Sequence, residues 1–287
     1  MGVALGLGAA LSWGLADYFA AVASRSVGAL RVVLGFHLAA LIPLTGLVLA
    51  TDALARVSVA QVALFVLIGA VGWVSYLAFY GALAIGPISV LSPIVSGYAA
   101  VTVLLAVAIG GNRLSTIQAT AVGITIAGTM FASADVREIT RSKLDRRSAL
   151  GFVLALAAMA LLGAFVFGVS YFRQRIGWLG PIFLARGFAA VFVLGHVLVG
   201  GGARPPRQPP KLIAIVLLLA VLDTGGYVCF NLGVGHAATA IVAAASAPYA
   251  IVPIVMGVSL LRERPTRAQW VGIGLVIAGV IVLGAVA

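Results

Sequence analysis

The sequence predicts an all-α integral membrane protein of ten transmembrane helices, arranged as two inverted five-helix repeats. Three observations carry that expectation: a composition that water would not support, ten apolar segments of spanning length, and a stretch of about fifty residues that occurs twice. Hydrophobic residues make up 63% of the 287-residue chain and charged residues 9%. A soluble domain carries about 25% charge and nearer half apolar residues. Folded in water, this chain would lack the polar surface to cover itself.

The same composition excludes several function classes. A net charge of +11 invites a nucleic-acid reading, but the 18 Lys and Arg lie mostly in short turns. No basic stripe interleaved with aromatics is present to track a phosphate backbone, and the excess fits loops facing anionic lipid. Cys229 is the only cysteine, which rules out an intrachain disulfide or a cysteine-based metal cluster. His37, His196 and His236 are scattered without metalloprotease spacing, and no phosphate-binding loop occurs. No nucleophile–base pairing stands out either. The expectation is therefore of no enzyme, no cofactor and no metal, with proton coupling as the one chemical role left open.

The apolar segments run at about 3–22, 28–49, 60–80, 87–109 and 115–133, then 148–170, 179–199, 211–234, 237–260 and 268–285. A helical span needs roughly 20 residues. Helix is expected for each because unpaired backbone groups are intolerable in hydrocarbon, and barrel strands would be about ten residues long with alternating faces. The opening segment lacks a basic leader and runs on into further spans, so it reads as a first membrane helix and not a cleaved signal. Very short connections, Ala84-Ile85-Gly86 and Gly235-His236, force antiparallel neighbours. A polar linker at 134–147 divides the chain into a first repeat, 1–133, and a second, 148–287. Residues 200–210, rich in Pro and Gly, form a loop. No soluble domain is expected.

The duplicate begins at Gly81 and again at Asn231. Gly86 matches Gly235, and the pairs Gln118/Gln269, Gly123/Gly274 and Gly128/Gly279 share one offset two residues larger. Each copy is an apolar run, an arginine-bearing turn (Asn112–Ser115 or Glu263–Thr266) and a second apolar run. Five spans is an odd number, so the second copy enters the membrane from the opposite side. Such inverted pairs recur in secondary transporters, where two half-structures exchange conformations about a central site.

Small residues let helices approach closely in lipid. Gly123/Gly128 and Gly274/Gly279 predict tight packing of spans four and five, and of nine and ten, or alternatively a dimer interface. Pro93, and Pro248 with Pro253, fall in corresponding helices, where each removes a helical hydrogen bond and bends the chain. The paired bends either shape a cavity, serve as gating points or are plain curvature.

Asp223 is the most informative polar residue, about twelve residues into the eighth span. A carboxylate at that depth must be paired, protonated or facing water. Tyr227 and Asn231 lie one and two turns further along the same face. Asp17 shares a face with Trp13, an arrangement able to hold an amphipathic cation by charge and stacking; an interfacial cap, or a pair with Arg25 or Arg31, is the structural alternative. Arg31 and Arg186, near the starts of the second and seventh spans, read as corresponding residues. They would snorkel, pair with Asp17 or Asp223, or bind an anionic part of a substrate. His37 is either a proton relay or a satisfied interhelical donor. Trp73, Ser75, Tyr76 and Tyr80 give the third span the character of a cavity wall, and Trp178 and Trp270 that of an interfacial belt. The substrate-cavity candidates are Trp13, Asp17, Arg31, His37, Tyr76, Arg186, Asp223, Tyr227 and Asn231, in a cavity lined by spans one to four and six to nine. Spans five and ten would pack peripherally.

With SWGLADYF in the first span, Arg31 in the second and the paired endings GGNRLSTIQATAVGITIAGTM and LRERPTRAQWVGIGLVIAGVIVL, the whole chain resembles the EamA-type permeases of the drug/metabolite transporter superfamily. It departs from their pattern at Asn112, where an acidic residue is usual, and at Leu261 before Arg262-Glu263-Arg264. The resemblance implies a carrier not driven by ATP, often an exporter of amino acids, amines or toxic compounds, multi-pass in the bacterial inner membrane. Its partners would be a small-molecule substrate and membrane lipids, with no nucleic acid, in a monomer or homodimer. It also implies cytoplasmic termini. The charge count points the other way: the loops after spans one, five, seven and nine hold 12 basic residues against four in the others, which the positive-inside rule would place in the cytoplasm.

Overall fold

The computed structural model describes residues 1–55, 57–86, 88–133, 146–200, 209–252 and 267–286, and every regular element among them is helical. In chain order these are α1 (Gly2–Val27), α2 (Ala29–Thr51), α3 (Val59–Ile85), α4 (Ile88–Ser96), α5 (Tyr98–Ala108) and α6 (Thr116–Ser133). The second half holds α7 (Arg146–Tyr171), the short α8 (Arg173–Ile176), α9 (Leu179–Val199), α10 (Pro210–Gly233), α11 (Thr239–Ser246) with a 3-10 turn (Ala247–Ala250), and α12 (Arg267–Val286). Six are long and apolar enough to cross a bilayer: α1, α2, α3, α7 with its continuation α8, α9 and α10. Shorter apolar helices stand where spans four, five, nine and ten were expected. Most of the polar linker, the Pro-rich connector, Pro253 and the Glu263–Thr266 turn lie outside the described residues.

The fourth span is two helices, not one. Pro93 supplies no N–H to the helical ladder, and one turn later the Gly97 N–H turns to the Ile94 carbonyl at 3.1 Å. In the second half α11 likewise tightens into the 3-10 turn that contains Pro248. Gly97 and Pro248 are equivalent under the offset that pairs Gln118 with Gln269. Each break is followed by a tyrosine, Tyr98 or Tyr249, and the two rings meet with centroids 5.7 Å apart.

Three helix pairs pack most extensively: α1 with α10, α3 with α7, and α6 with α12. Exchanging the halves turns the first pair into the second. Gly14 lies so close to the Tyr249 carbonyl that a Cβ there would sit 2.5 Å from it; its counterpart Gly163 stands in the same relation to the Tyr98 carbonyl, at 2.8 Å. Arginines close the ends in matching fashion. Arg25 donates to the carbonyls of Leu83 (3.1 Å), in the last turn of α3, and of Gly86 (3.0 Å), just past it, whereas Arg173 donates to the Asn231 carbonyl near the end of α10.

The terminal helices differ from expectation. Gly128 and Gly279 do not tighten spans four on five or nine on ten; they join α6 to α12. A Cβ on Gly128 would lie 2.8 Å from Leu275 Cβ, and one on Gly279 would run into the Thr125 hydroxyl. Gln118 Nε2 also donates to the Val286 carbonyl at 2.8 Å, so the two helices run antiparallel. Gly123 and Gly274 face open space. Gln118 further closes a capping box with Ser115 at the start of α6, with bonds of 3.0 and 3.2 Å. Asn112, where the resemblance expects an acid, accepts the Ala240 N–H at 3.1 Å and so caps α11 of the other half.

Adding volume at a close-packed contact costs about 1–3 kcal/mol. Gly128→Val and Gly279→Val are therefore expected to lower the thermal midpoint of the purified protein in detergent by several degrees. Gly123→Val and Gly274→Val should leave it unchanged.

Candidate functional site

Polar side chains converge where α1, α3, α5, α7 and α10 meet. Helical spacing places Trp13 over Asp17 on α1, and Asp223 over Tyr227 on α10. Tyr76 and Phe79 face them from α3, Leu162 and Val166 from α7, and Tyr98 and Tyr249 close the remaining side. Together they line a cavity of about 40 Å³, space for a few water molecules and no more.

Asp223 is fully engaged. It forms an ion pair with Arg186 of α9, and the Tyr76 hydroxyl reaches its two oxygens at 3.1 and 3.3 Å. Its backbone carbonyl accepts the Trp13 indole N–H at 3.2 Å. The indole lies so near α10 that any Cβ on Gly226 would collide with it, which accounts for glycine there. The Arg186 guanidinium sits 5.2 Å from the Tyr227 ring and 5.6 Å from that of Phe36, cation–π contacts that help hold a charge away from water. Its Nε and Nη1 make no hydrogen bond among the described residues.

Asp17 is buried as well, but its Oδ2 has no hydrogen-bond partner among the described residues. The arginines proposed as structural partners are elsewhere: Arg25 caps α3, and Arg31 is exposed. With Arg186 and Asp223 cancelling, the cavity keeps one carboxyl without an ion pair among the described residues, beside Trp13, Tyr98 and Tyr249. Such a group in a low-dielectric interior requires a proton or a cation.

Of the sequence candidates, Trp13, Asp17, Tyr76, Asp223 and Tyr227 line the cavity. Arg186 stands behind Asp223. His37 stands behind Tyr76, its ring edge-on to the phenol at 5.3 Å and its Nδ1 2.8 Å from the Val33 carbonyl. Asn231 is buried beyond the cavity and donates to the Tyr227 carbonyl at 3.0 Å. Arg31 is exposed and is not among the residues that line this cavity, and it does not correspond to Arg186: it is in the first turn of α2, whereas Arg186 is two turns into α9. Trp73 stacks on Phe192 and Ser75 bonds the Gly72 carbonyl, so neither lines the cavity. The sequence reading missed Tyr98, Tyr249, Phe79, Leu162 and Val166. For the tyrosines a signal existed, since they share the offset that pairs Gln118 with Gln269.

The model of the EamA-like transporter family matches residues 1–134 and again residues 149–285. The chain belongs to this family. As an EamA-like protein it is a multi-pass membrane protein in a family of transporters, and both matched segments contribute walls to the cavity. A solved protein crystal structure aligns with 100% of this chain and 97% of its own at a TM-score of 0.73 and 17% identity; that likeness speaks for the fold alone. No curated protein sequence matches the chain.

Removing one partner of a buried ion pair costs about 3–5 kcal/mol, whereas an apolar replacement of both is often tolerated. Arg186→Gln is expected to destabilise the EamA-like fold by an amount in that range. The double variant Arg186→Met, Asp223→Leu should regain much of the loss in the same thermal assay.

Proposed function

We propose that this chain is a secondary active transporter that exports a small metabolite, such as an amine, an amino acid or a drug-like compound, across the bacterial inner membrane. Residues 1–133 and 148–287 act as inverted repeats joined by the linker at 134–147. The reversed directions of the equivalent helices α6 and α12 support the inversion, as do the matched contacts of Gly14 with Tyr249 and Gly163 with Tyr98. The cavity lies on the seam between the halves and needs no second subunit to complete it.

The observation that carries the reading is the buried Asp17 carboxyl among aromatic rings, its Oδ2 without a hydrogen-bond partner among the described residues. A proton and a cationic substrate compete for it, and each occupant neutralises the charge that would otherwise be buried as the cavity changes sides. Asp223 is a fixed member of a pair with Arg186, the structural one of the two roles open to it from the sequence. A cavity of about 40 Å³ corresponds to an occluded state, which opens toward one face or the other to admit a ligand. The Arg186–Asp223 pair favours a second reading, a non-transporting scaffold or lipid-binding subunit whose polar groups are consumed in helix contacts.

Proteoliposomes with an imposed pH gradient, offered amines, amino acids, sugars and nucleosides, separate the two. The transporter reading expects gradient-driven movement of cationic compounds that falls about tenfold or more in Asp17→Asn, the loss of one charge-assisted interaction. Cation binding should weaken as pH falls, because protons then hold Asp17. Transport indifferent to the gradient removes the proton from the mechanism, and an inert, folded protein supports the scaffold.

A further inference from the structure

A cavity of about 730 Å³ opens on the outside of the bundle, between the first half of α2, the last turn of α9 and the beginning of α10. It is separate from the central site. Along α2 its wall runs from Gly28 to Ala39, and along α10 from Leu212 to Leu217. Eleven steps along a helix advance about 16 Å, close to half of a hydrocarbon core of about 30 Å. The groove thus has the depth of one leaflet.

Its chemistry is graded. The lining is apolar or glycine except for Arg31 and His196, and both belong to the same end: Arg31 in the first turn of α2, His196 in the last turn of α9. Arg31 is exposed and has no ion pair among the described residues. A cation in the first turn of a helix is disfavoured by the macrodipole, and α2 has neither an acidic residue there nor a side-chain cap. An anion is the missing element at this end and a hydrocarbon chain at the other. By the alternation of spans in the sequence, this is also the side expected to carry the basic-rich loops, with 12 Lys and Arg, and such loops gather anionic lipid.

We infer that this groove binds one anionic phospholipid of the surrounding leaflet, with an acyl chain between α2 and α10 and the phosphate against Arg31. His196 flanks the headgroup. The inference does not rest on the transport mechanism.

Native mass spectrometry of the full chain, released from detergent with phosphatidylglycerol or phosphatidylcholine of identical chains, tests it. One phosphatidylglycerol should be retained per chain in preference to phosphatidylcholine. Arg31→Gln, a change at an exposed residue, should reduce that preference about tenfold, as loss of a charge-assisted contact does. Leu38→Trp, which fills the groove, should reduce retention of both lipids. Equal retention of the two lipids by the wild type, or a preference that survives Arg31→Gln, overturns the headgroup site. Retention indifferent to Leu38→Trp overturns the groove.

Discussion

A charge buried in an apolar bundle has to be balanced, and in this protein the balance is struck once and left incomplete once. Arg186 cancels Asp223, with Tyr76 and two ring faces in support. Asp17 has no such ion pair among the described residues. The pair ties α9 to α10 and sets the indole of Trp13 against the same stretch of backbone. What remains is a small aromatic chamber with a second buried carboxyl on its wall, and the functional reading depends on that inequality between two carboxyls.

The chamber exists because the helices around it are broken and close-packed in matched places. Gly97 and the Pro248 turn interrupt equivalent helices, and each interruption delivers a tyrosine to the seam. Gly14 and Gly163 bring α1 and α7 against those interruptions from opposite sides. Arg25 and Arg173 tie the ends of α3 and α10, so each half is braced at one end and loosened at its middle.

Much of the helical architecture was legible in the sequence, because lipid leaves few alternatives: apolar segments of spanning length become helices. Asp17, Asp223, Trp13, Tyr76 and Tyr227 were legible as interior residues for the same reason, since polar groups at that depth face inward. Partnership was not legible. Which acid Arg186 would meet depends on the rotation and depth of α9 relative to α10, which no spacing within one helix encodes. Arg31 misled because nearness to a helix start was equated with correspondence, whereas Arg186 enters its helix more than a turn deeper. The glycines of α6 and α12 misled similarly: their spacing declares a close contact but not the neighbour. Tyr98 and Tyr249 went unremarked although the duplication aligned them.

The claim at the centre of this account is that Asp17 alone exchanges a proton for a cation. Its most direct test is the proton count on binding, read with a pH indicator as a cationic ligand is added to purified protein in weak buffer. The account predicts about one proton released per cation bound by the wild type, and none by Asp17→Asn. Release that persists undiminished in Asp17→Asn would contradict it.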